Sequence, residues 1–402
     1  MLLCFSHLRW DFVWQRPQHL MARFAQRMPV YVVEEPVFEG NTETLRVRDA
    51  GAVTVLTPVL PAGLDVPGGF NRRANRVIRE LLAPVICGLL AQGEGPLVTW
   101  YYTPMALGAA PSGIEPDLVV FDAMDELSAF RFAPPELVER EAALMHRADL
   151  VFTGGPSLYR SRKDRHPAVH CFPSGVEADH FAQARTALAP PADLAGRAGP
   201  VLGFYGVLDE RVDMDLLAGI ADLRPEWTLA LVGPTAKIDP EDLPQRPNIL
   251  WYGKQDYADL PRFLAGFDVA LLPFARNEAT RFISPTKTLE YLAGGKPIVS
   301  TPIVDVVDLY GEVVSFGETA EEFVRAADDL LHEPAAVRDL RLARAETILA
   351  RHGWDAIAAQ MQDLMDLALA RRAPLPLVAV AAAARDDAGL RFGSPAVVTG
   401  AA

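Results

Sequence analysis

Lys287 and Glu290 stand at the start of the segment TKTLEYLAGG, which has the pattern of a short amphipathic helix closed by two glycines. Residues three apart lie on one face of a helix. The preceding loop ends in Ser284 and Pro285, so the unpaired N–H groups of the first turn favour an anion, beside which Lys287 adds a positive charge. A diphosphate suits these groups. Glu290 can accept two hydrogen bonds from a vicinal diol such as a ribose.

The same pair also has a purely structural interpretation. A lysine and a glutamate spaced i, i+3 on an exposed helix face stabilise that helix by about 0.3 kcal/mol and need no ligand. This stretch by itself leaves both interpretations open.

Three more loops of the C-terminal half carry candidate binding groups. VLGFYG is followed by VLDERVD, in which Gly206 permits close backbone approach and Arg211 offers a forked donor to phosphate oxygens. The neighbouring Asp209 could equally make Arg211 part of a solvated charge cluster. WTLALVGP and NILWYG end at Gly233 and Gly253, which favour recognition of a planar base by backbone or serve as plain turn residues.

In the N-terminal half, the strand LLCFS runs into HLRWDFVWQRPQHL, where aromatic and charged side chains alternate. Such a loop is typical of a sugar or acceptor platform, because indole faces stack on sugar rings while charged groups bind hydroxyls. Alternatively, the tryptophans pack under neighbouring helices and His19 faces the core. The predicted acceptor-binding residues are His7, Arg9, Trp10, Asp11, Arg16 and His19.

Carboxylates follow a later strand, LVVFDA, in the sequence MDEL. Asp125 is the candidate general base or acceptor of sugar hydroxyl groups. Asp122 has the commoner interpretation of an aspartate that caps local backbone.

Composition limits the class of protein. The chain has 402 residues, a formal net charge of -14, 50% hydrophobic residues and 22% charged residues. This composition favours packed cores and argues against nucleic acid as the main partner. The three cysteines are scattered, the N-terminus lacks the basic start of a signal peptide, and no run of 18 apolar residues precedes the tail. We therefore expect a cytoplasmic protein without a transmembrane helix.

Short apolar runs alternate with amphipathic segments in both halves, which predicts an α/β protein with two doubly wound parallel sheets around a cleft. A capping box from Thr319 to Glu322 opens one of the predicted helices. The stretch 182–200, rich in alanine, proline and glycine, is the predicted linker. The predicted units are domains at 1–183 and 199–350, a helix at 351–372 that crosses back to the first domain, and a flexible tail at 373–402.

These stretches together resemble the GT-B glycosyltransferases, in particular family four, which transfers sugars with retention of configuration. PSGVEADHF (173–181) is similar to that family's N-G-V-D-x-x-x-F signature, and KTLEYLAGGKPIVST looks like its helix LxEAxAxGxPVVAS. The placement of Gly206 and Arg211 looks like its first donor loop. WDFVWQRPQHL, FDAMDEL, GVLDERVD and ISPTKTLEY look like a bacterial envelope-polysaccharide branch similar to teichuronic-acid-type transferases.

The resemblance implies a GT-B fold of two Rossmann-like domains and a metal-independent transfer from a nucleoside-diphosphate sugar, UDP or GDP, to a glycan or lipid-linked acceptor. Peripheral membrane association is compatible with such an acceptor. Glu290 would bind the ribose, Arg211 and Lys287 the diphosphate, and Ser284 and Thr286 would add donors. The implied catalytic residues are Asp125, Arg211 and Lys287.

Two positions depart from the family pattern. Phe282 stands where the first glutamate of E-x7-E belongs, and Met124 replaces the histidine of the His-Asp pair. The missing carboxylate would come from Glu278 or from Asp125. Two other functions fit the same residues: a nucleotide-sugar epimerase of GT-B fold, and a catalytically silent nucleotide-sugar-binding partner protein.

Overall fold

The computed structural model describes residues 1–64, 69–93, 95–186 and 188–372. Two separate parallel sheets, one from each half of the chain, organise these residues. The predicted tail at 373–402 lies outside them.

The first sheet has nine strands in the order β3-β5-β2-β1-β6-β7-β8-β9, with β4 antiparallel on β5 and all other pairs parallel. The strands are β1 (Leu2–Phe5), β2 (Val30–Val33), β3 (Val37–Phe38), β4 (Thr44–Asp49), β5 (Thr54–Leu60), β6 (Val98–Tyr101), β7 (Leu118–Ala123), β8 (Leu150–Thr153) and β9 (Val169–Cys171). Sequence analysis did not predict β3 and β4, because β3 is a two-residue strand and β4 is a largely exposed edge strand with only two apolar residues, Leu45 and Val47.

The second sheet has six parallel strands in the order β12-β11-β10-β13-β14-β15. They are β10 (Val201–Tyr205), β11 (Thr228–Val232), β12 (Ile249–Gly253), β13 (Val269–Leu272), β14 (Ile298–Ser300) and β15 (Ser315–Phe316). The prediction of two doubly wound α/β sheets is confirmed.

Helices pack on both sheets. They are α1 (Arg16–Phe24), α2 (Arg72–Leu90), α3 (Leu137–Arg147), α4 (Pro156–Arg162), α5 (Ala178–Ala182), α6 (Ala192–Ala195), α7 (Met214–Leu223), α8 (Leu260–Ala265), α9 (Lys287–Ala293), α10 (Val304–Tyr310), α11 (Ala320–Leu331), α12 (Ala335–Leu349) and α13 (Trp354–Arg372). None of these helices has an apolar stretch long enough to cross a membrane.

The central strand β1 is buried on both faces, as expected for a parallel sheet covered by helices. Side chains alternate across a strand, so Leu3 and Phe5 join the core under α2, while Leu2 and Cys4 join the core on the opposite face. The last helix, α13, contributes Trp354 to this second core. The C-terminal segment therefore covers the first sheet.

In both sheets the chain reverses its winding direction beside the first strand. β1 lies between β2 and β6, and β10 lies between β11 and β13. Ligands of open α/β sheets bind beyond the carboxyl ends of the strands at such a reversal. The loops after β1 and β10 begin at these reversals, where a ligand site is expected.

Candidate active site

Two glycines shape the floor of the cleft in the C-terminal half. Gly206 and Gly233 have φ angles of 145° and 144°, a region that side chains with a Cβ rarely adopt. Gly206 N–H donates to Val232 O at 2.8 Å, and Gly233 N–H donates to Gly253 O at 2.8 Å. A Cβ on Gly233 would overlap the Gly206 carbonyl, and one on Gly206 would overlap the Lys287 side chain. The three predicted glycines are thus joined in one backbone arrangement next to Lys287.

Lys287 and Glu290 lie on the cleft face of α9, which begins at Lys287. Glu290 is buried, at 7% exposure, and the Lys287 ammonium lies 5.6 Å from the centroid of the Phe204 ring. Within the described ranges, Lys287 forms no ion pair closer than 4 Å. The interpretation as an exposed helix-stabilising pair therefore does not describe these residues.

Burial and mutual charge shift the titration of both groups. Burial raises the pKa of Glu290 to about 7, and the Lys287 cation opposes this rise. Burial lowers the pKa of Lys287, with a further lowering from the Arg211 guanidinium. For both groups burial outweighs the nearby opposite charges, and shifted pKa values of this kind are common at binding sites for charged ligands.

Arg211 is held by its neighbour Asp209. The guanidinium donates Nε–H to Oδ1 at 2.9 Å and Nη2–H to Oδ2 at 2.6 Å, so one edge of the fork is occupied. Its carbon Cζ also lies 5.3 Å from the ring centroid of Phe130, which belongs to the loop after β7. Asp209 therefore orients Arg211 and leaves its other edge for a ligand.

Asp125 faces Arg211 and Lys287 from the N-terminal half, across the cleft. Burial raises the pKa of Asp125 to about 6, against the opposing Arg211 charge. Ser284 lies in the same cavity, and its enclosed Oγ has no hydrogen-bond partner among the described residues. Its carbonyl is 3.5 Å from Ser174 Oγ, a contact that joins the two halves.

Two adjoining cavities connect these groups. The first cavity is lined by Trp14, Gly206, Gly233, Tyr257 and Glu290, among other residues. The second cavity is lined by Asp125, Met124, Ser284 and Pro285, among others. Arg211, Thr286 and Lys287 line both. The two cations therefore stand at the junction, with Glu290 on one side and Asp125 on the other.

Glu278 and Phe282 lie elsewhere. They line a separate cavity beside Glu126 and Ser128. Of the two candidates for the carboxylate that Phe282 cannot provide, Asp125 lines the second cavity together with the cations, and Glu278 lines neither cavity.

Arg16 has internal partners. Its Nε and Nη2 each donate to the Asp122 carboxylate at 2.9 Å, its Nη1 donates to Phe172 O at 2.8 Å, and the residue is 3% exposed. Asp122 thus pairs with α1 instead of capping local backbone. The guanidinium borders the second cavity, but this pairing favours a structural role over acceptor binding.

Other members of the predicted acceptor loop are also engaged within the protein. Arg9 donates to the carbonyls of Glu35 and Pro36. Trp10 is buried, and its backbone N–H donates to Glu34 Oε1 at 2.6 Å. The exposed Asp11 accepts from Arg48 at 2.7 Å through its carboxylate and from Lys254 at 2.9 Å through its carbonyl. Asp11 therefore links the two halves.

The two histidines of this loop differ. His7 has an enclosed Nδ1 without a partner in the described part of the chain, and burial lowers its pKa to about 4. His19 is 1% exposed and stacks on Trp354, with ring centroids 4.8 Å apart. The alternative that His19 faces the core matches its position.

Sequence analysis left out some residues that line the first cavity. Trp14 was part of the aromatic and charged loop, but nothing distinguished it from Trp10. Tyr257 follows β12 without any local signal, and its distance of 6.2 Å from Trp14 between ring centroids is a tertiary contact. Among the described residues, no group of three His, Cys, Asp or Glu side chains is placed to hold a metal ion.

Comparisons with known proteins concern the family and the fold. Residues 214–363 match a family model described as glycosyl transferase-like. The whole described architecture is similar to a sucrose-phosphate synthase from Thermosynechococcus elongatus, with a TM-score of 0.67 at 16% identity, covering 92% of this chain and 99% of that one. This is the GT-B fold of glycosyltransferases.

A second GT-B structure, described as trehalose-6-phosphate from E. coli bound with UDP-2-fluoro glucose, aligns with a TM-score of 0.65 at 13% identity, over 93% of this chain and 99% of that one. Likenesses at such low identity establish the fold alone.

In sequence, the chain is similar to TuaH of Bacillus subtilis (strain 168), whose name assigns it to teichuronic acid biosynthesis as a glycosyltransferase. The two are 27% identical over 249 residues, which is 58% of this chain. The match spans 62% of the length of that curated relative. The predicted resemblance to GT-B glycosyltransferases of the teichuronic-acid type is confirmed.

Proposed function

We propose that the protein transfers a sugar from a nucleoside-diphosphate sugar to a glycan or lipid-linked acceptor in the synthesis of a cell-envelope or exopolysaccharide. One observation carries the proposal. Lys287 and Arg211 line the junction of two cavities, between Glu290 on one side and Asp125 on the other. A nucleotide sugar has the same order of groups, because its diphosphate lies between a ribose and the sugar to be transferred.

In this arrangement the C-terminal half binds the donor. Glu290 accepts hydrogen bonds from the ribose hydroxyls, while Gly206 and Gly233 let the backbone approach the nucleotide closely. Lys287 and the free edge of Arg211 neutralise the diphosphate. Ser284 and Thr286 add hydroxyl donors, which accounts for the unpartnered Oγ of Ser284.

The reaction breaks the bond between the sugar C1 and the phosphate oxygen and forms one between C1 and an acceptor oxygen. Negative charge develops on the leaving diphosphate, and Lys287 and Arg211 stabilise it there in a partly dry site. If configuration is retained, a phosphate oxygen takes the acceptor proton. If it is inverted, Asp125 takes that proton, and its pKa of about 6 keeps it ionised at neutral pH.

The donor nucleotide is UDP or GDP, and the acceptor approaches from the N-terminal half, where His7 Nδ1 has no hydrogen-bond partner among the described residues. We place the reaction in the cytoplasm, at the inner face of the membrane when the acceptor is lipid-linked. The chemistry of a lipid-linked acceptor supports this placement.

Donor binding and turnover test the proposal together. UDP-, GDP- and dTDP-sugars are added to the full chain in a thermal-shift screen, because a ligand stabilises the fold in proportion to RT ln(1 + [L]/Kd). We expect one nucleotide class to raise the melting temperature and to be consumed when a glycan acceptor is present. Lys287→Ala and Glu290→Gln should each weaken donor binding roughly ten- to a hundredfold, the value of one charge-assisted hydrogen bond.

Lys163→Ala, at the exposed end of α4, is the matched control and should leave binding unchanged. Wild-type donor affinity and turnover in both cleft variants would contradict the site. Interconversion of donor sugars without an acceptor would indicate the epimerase instead, and binding without any donor cleavage would indicate the silent partner protein.

A further inference from the structure

The first cavity has a wall that comes from the N-terminal half. We propose that the indole of Trp14 stacks on the nucleobase of the donor, so that the nucleotide is enclosed between both halves of the protein. This inference rests on the proposed function and adds a residue that binds the base of the donor.

The two ends of the first cavity differ in chemistry. The cations and Thr286 lie at the end shared with the second cavity. Trp14, Val232, Pro234 and Leu260 line the first cavity only. A nucleoside diphosphate has two ends of matching chemistry, an anionic diphosphate at one end and a planar, largely apolar base at the other. The base therefore belongs at the end where Trp14 lies.

Trp14 is more exposed than two aromatic residues that it contacts, Trp10 and His19. Its relative exposure is 40%, whereas Trp10 is 6% exposed and His19 is 1% exposed. Aromatic side chains bury large areas, and a partly exposed indole in a cleft offers a flat face to a ligand. Gln255 and Tyr257 border the same cavity from the C-terminal half, so that a base at this position contacts residues from both halves.

The indole is also held in one orientation. Trp14 Nε1–H donates to His19 Nδ1 at 3.2 Å, and His19 stacks on Trp354 of α13 with an angle of 15° between the rings. A neutral imidazole accepts at one nitrogen, and burial, together with the Arg23 cation, lowers the pKa of His19 to about 3. His19 therefore stays an acceptor at physiological pH and acts as a positioning residue for Trp14.

The test separates the base from the diphosphate. Dissociation constants are measured by calorimetry for UDP, GDP and inorganic pyrophosphate with the full wild-type chain, Trp14→Ala and Trp14→Phe. Trp14→Ala should weaken the preferred nucleotide roughly ten- to a hundredfold, in line with the strength of base stacking on aromatic rings. It should leave pyrophosphate binding unchanged, and Trp14→Phe should keep most of the nucleotide affinity.

Lys287→Ala should weaken the binding of nucleotide and of pyrophosphate alike, in contrast to Trp14→Ala. Leu223→Ala is a control for the loss of an exposed apolar side chain. Quenching of tryptophan fluorescence by the nucleotide should fall in Trp14→Phe relative to wild type, a second readout if the alanine variant folds poorly. Nucleotide affinity unchanged by Trp14→Ala, or lost equally for pyrophosphate, would overturn the inference. In that case, loss of binding in Glu290→Gln would still support the proposed function; failure of wild type to bind either nucleotide would overturn both.

Discussion

At the scale of single residues, the candidate site contains two charged groups, Lys287 and Glu290, that form no ion pair within 4 Å among the described residues. Glu290 is buried, and Lys287 has no carboxylate within 4 Å among the described residues. The two side chains lie on the same helix face but do not form an ion pair with each other. An uncompensated buried charge costs stability unless a ligand completes it. The cost should therefore be measurable in the free protein.

Glu290→Gln should stabilise the ligand-free protein much more at pH 8 than at pH 5. The pKa of Glu290 rises from 4.5 to about 7 on folding, so the folded state holds the proton more tightly. Stability from this group is complete below pH 4.5 and is lost as the pH rises through 7. Glutamine removes that loss, a gain of up to about 3 kcal/mol at pH 8.

Urea unfolding at the two pH values measures the difference. The exposed Glu241→Gln should show no such dependence. If Glu290→Gln changed the free energy of unfolding equally at pH 5 and pH 8, the pKa of Glu290 would not be raised in the folded protein.

At the scale of elements, the loops after β10 and β11 depend on glycine for two different reasons. A side chain at Gly233 meets the backbone of Gly206, which cannot move without disturbing β10. A side chain at Gly206 meets the end of Lys287, which can rotate away. Both positions also have positive φ angles, a strain of roughly 1–3 kcal/mol for other residues.

Gly233→Ala should therefore lose more folding stability than Gly206→Ala, and both should lose nucleotide binding. In Gly206→Ala the loss comes mainly from the displaced ammonium of Lys287. Urea unfolding and nucleotide thermal shifts measure the two effects separately. Gly88→Ala is the matched control, because Gly88 lies in α2 with open space around it and alanine there should stabilise by about 1 kcal/mol. Unchanged nucleotide binding in Gly206→Ala would contradict the placement of Lys287.

At the scale of the whole molecule, the C-terminal helix belongs to the core of the N-terminal half. Trp354 is 1% exposed, and Met361 and Met365 of α13 are fully buried in the same core as Leu2 and Cys4. Stacking of His19 on Trp354 further connects α13 to Trp14 at the cleft.

Trp354→Ala should destabilise the first sheet although Trp354 lies in the last described helix. Truncating a buried tryptophan costs about 3–5 kcal/mol. Hydrogen exchange should therefore accelerate in β1 and β7 and stay unchanged in β11 and β13. Leu367→Ala, on the exposed side of the same helix, is the control. Uniform acceleration in both sheets would show that α13 does not act on the first sheet specifically.

The periodicity of the chain was enough to predict two parallel sheets, because strand and helix patterns are local. It also placed Lys287 and Glu290 on one helix face, since helix geometry depends on spacing alone. The predicted capping box at the start of α11 is half formed. The Thr319 hydroxyl accepts from Glu322 N–H at 3.3 Å, but the Glu322 carboxylate accepts from Glu318 N–H instead of Thr319 N–H. The predicted domain boundaries and the roles of the site residues remain predictions.

The sequence by itself determined the alternation of strands and helices, apart from β3 and β4, and the chemical types at the strand ends. Only the tertiary structure decided which of those side chains reach the cleft. Arg16 is matched by Asp122, 106 residues away, and His19 is covered by a helix from the other end of the chain. Burial and pairing depend on residues that are distant in the sequence, and a local sequence pattern contains no information about them.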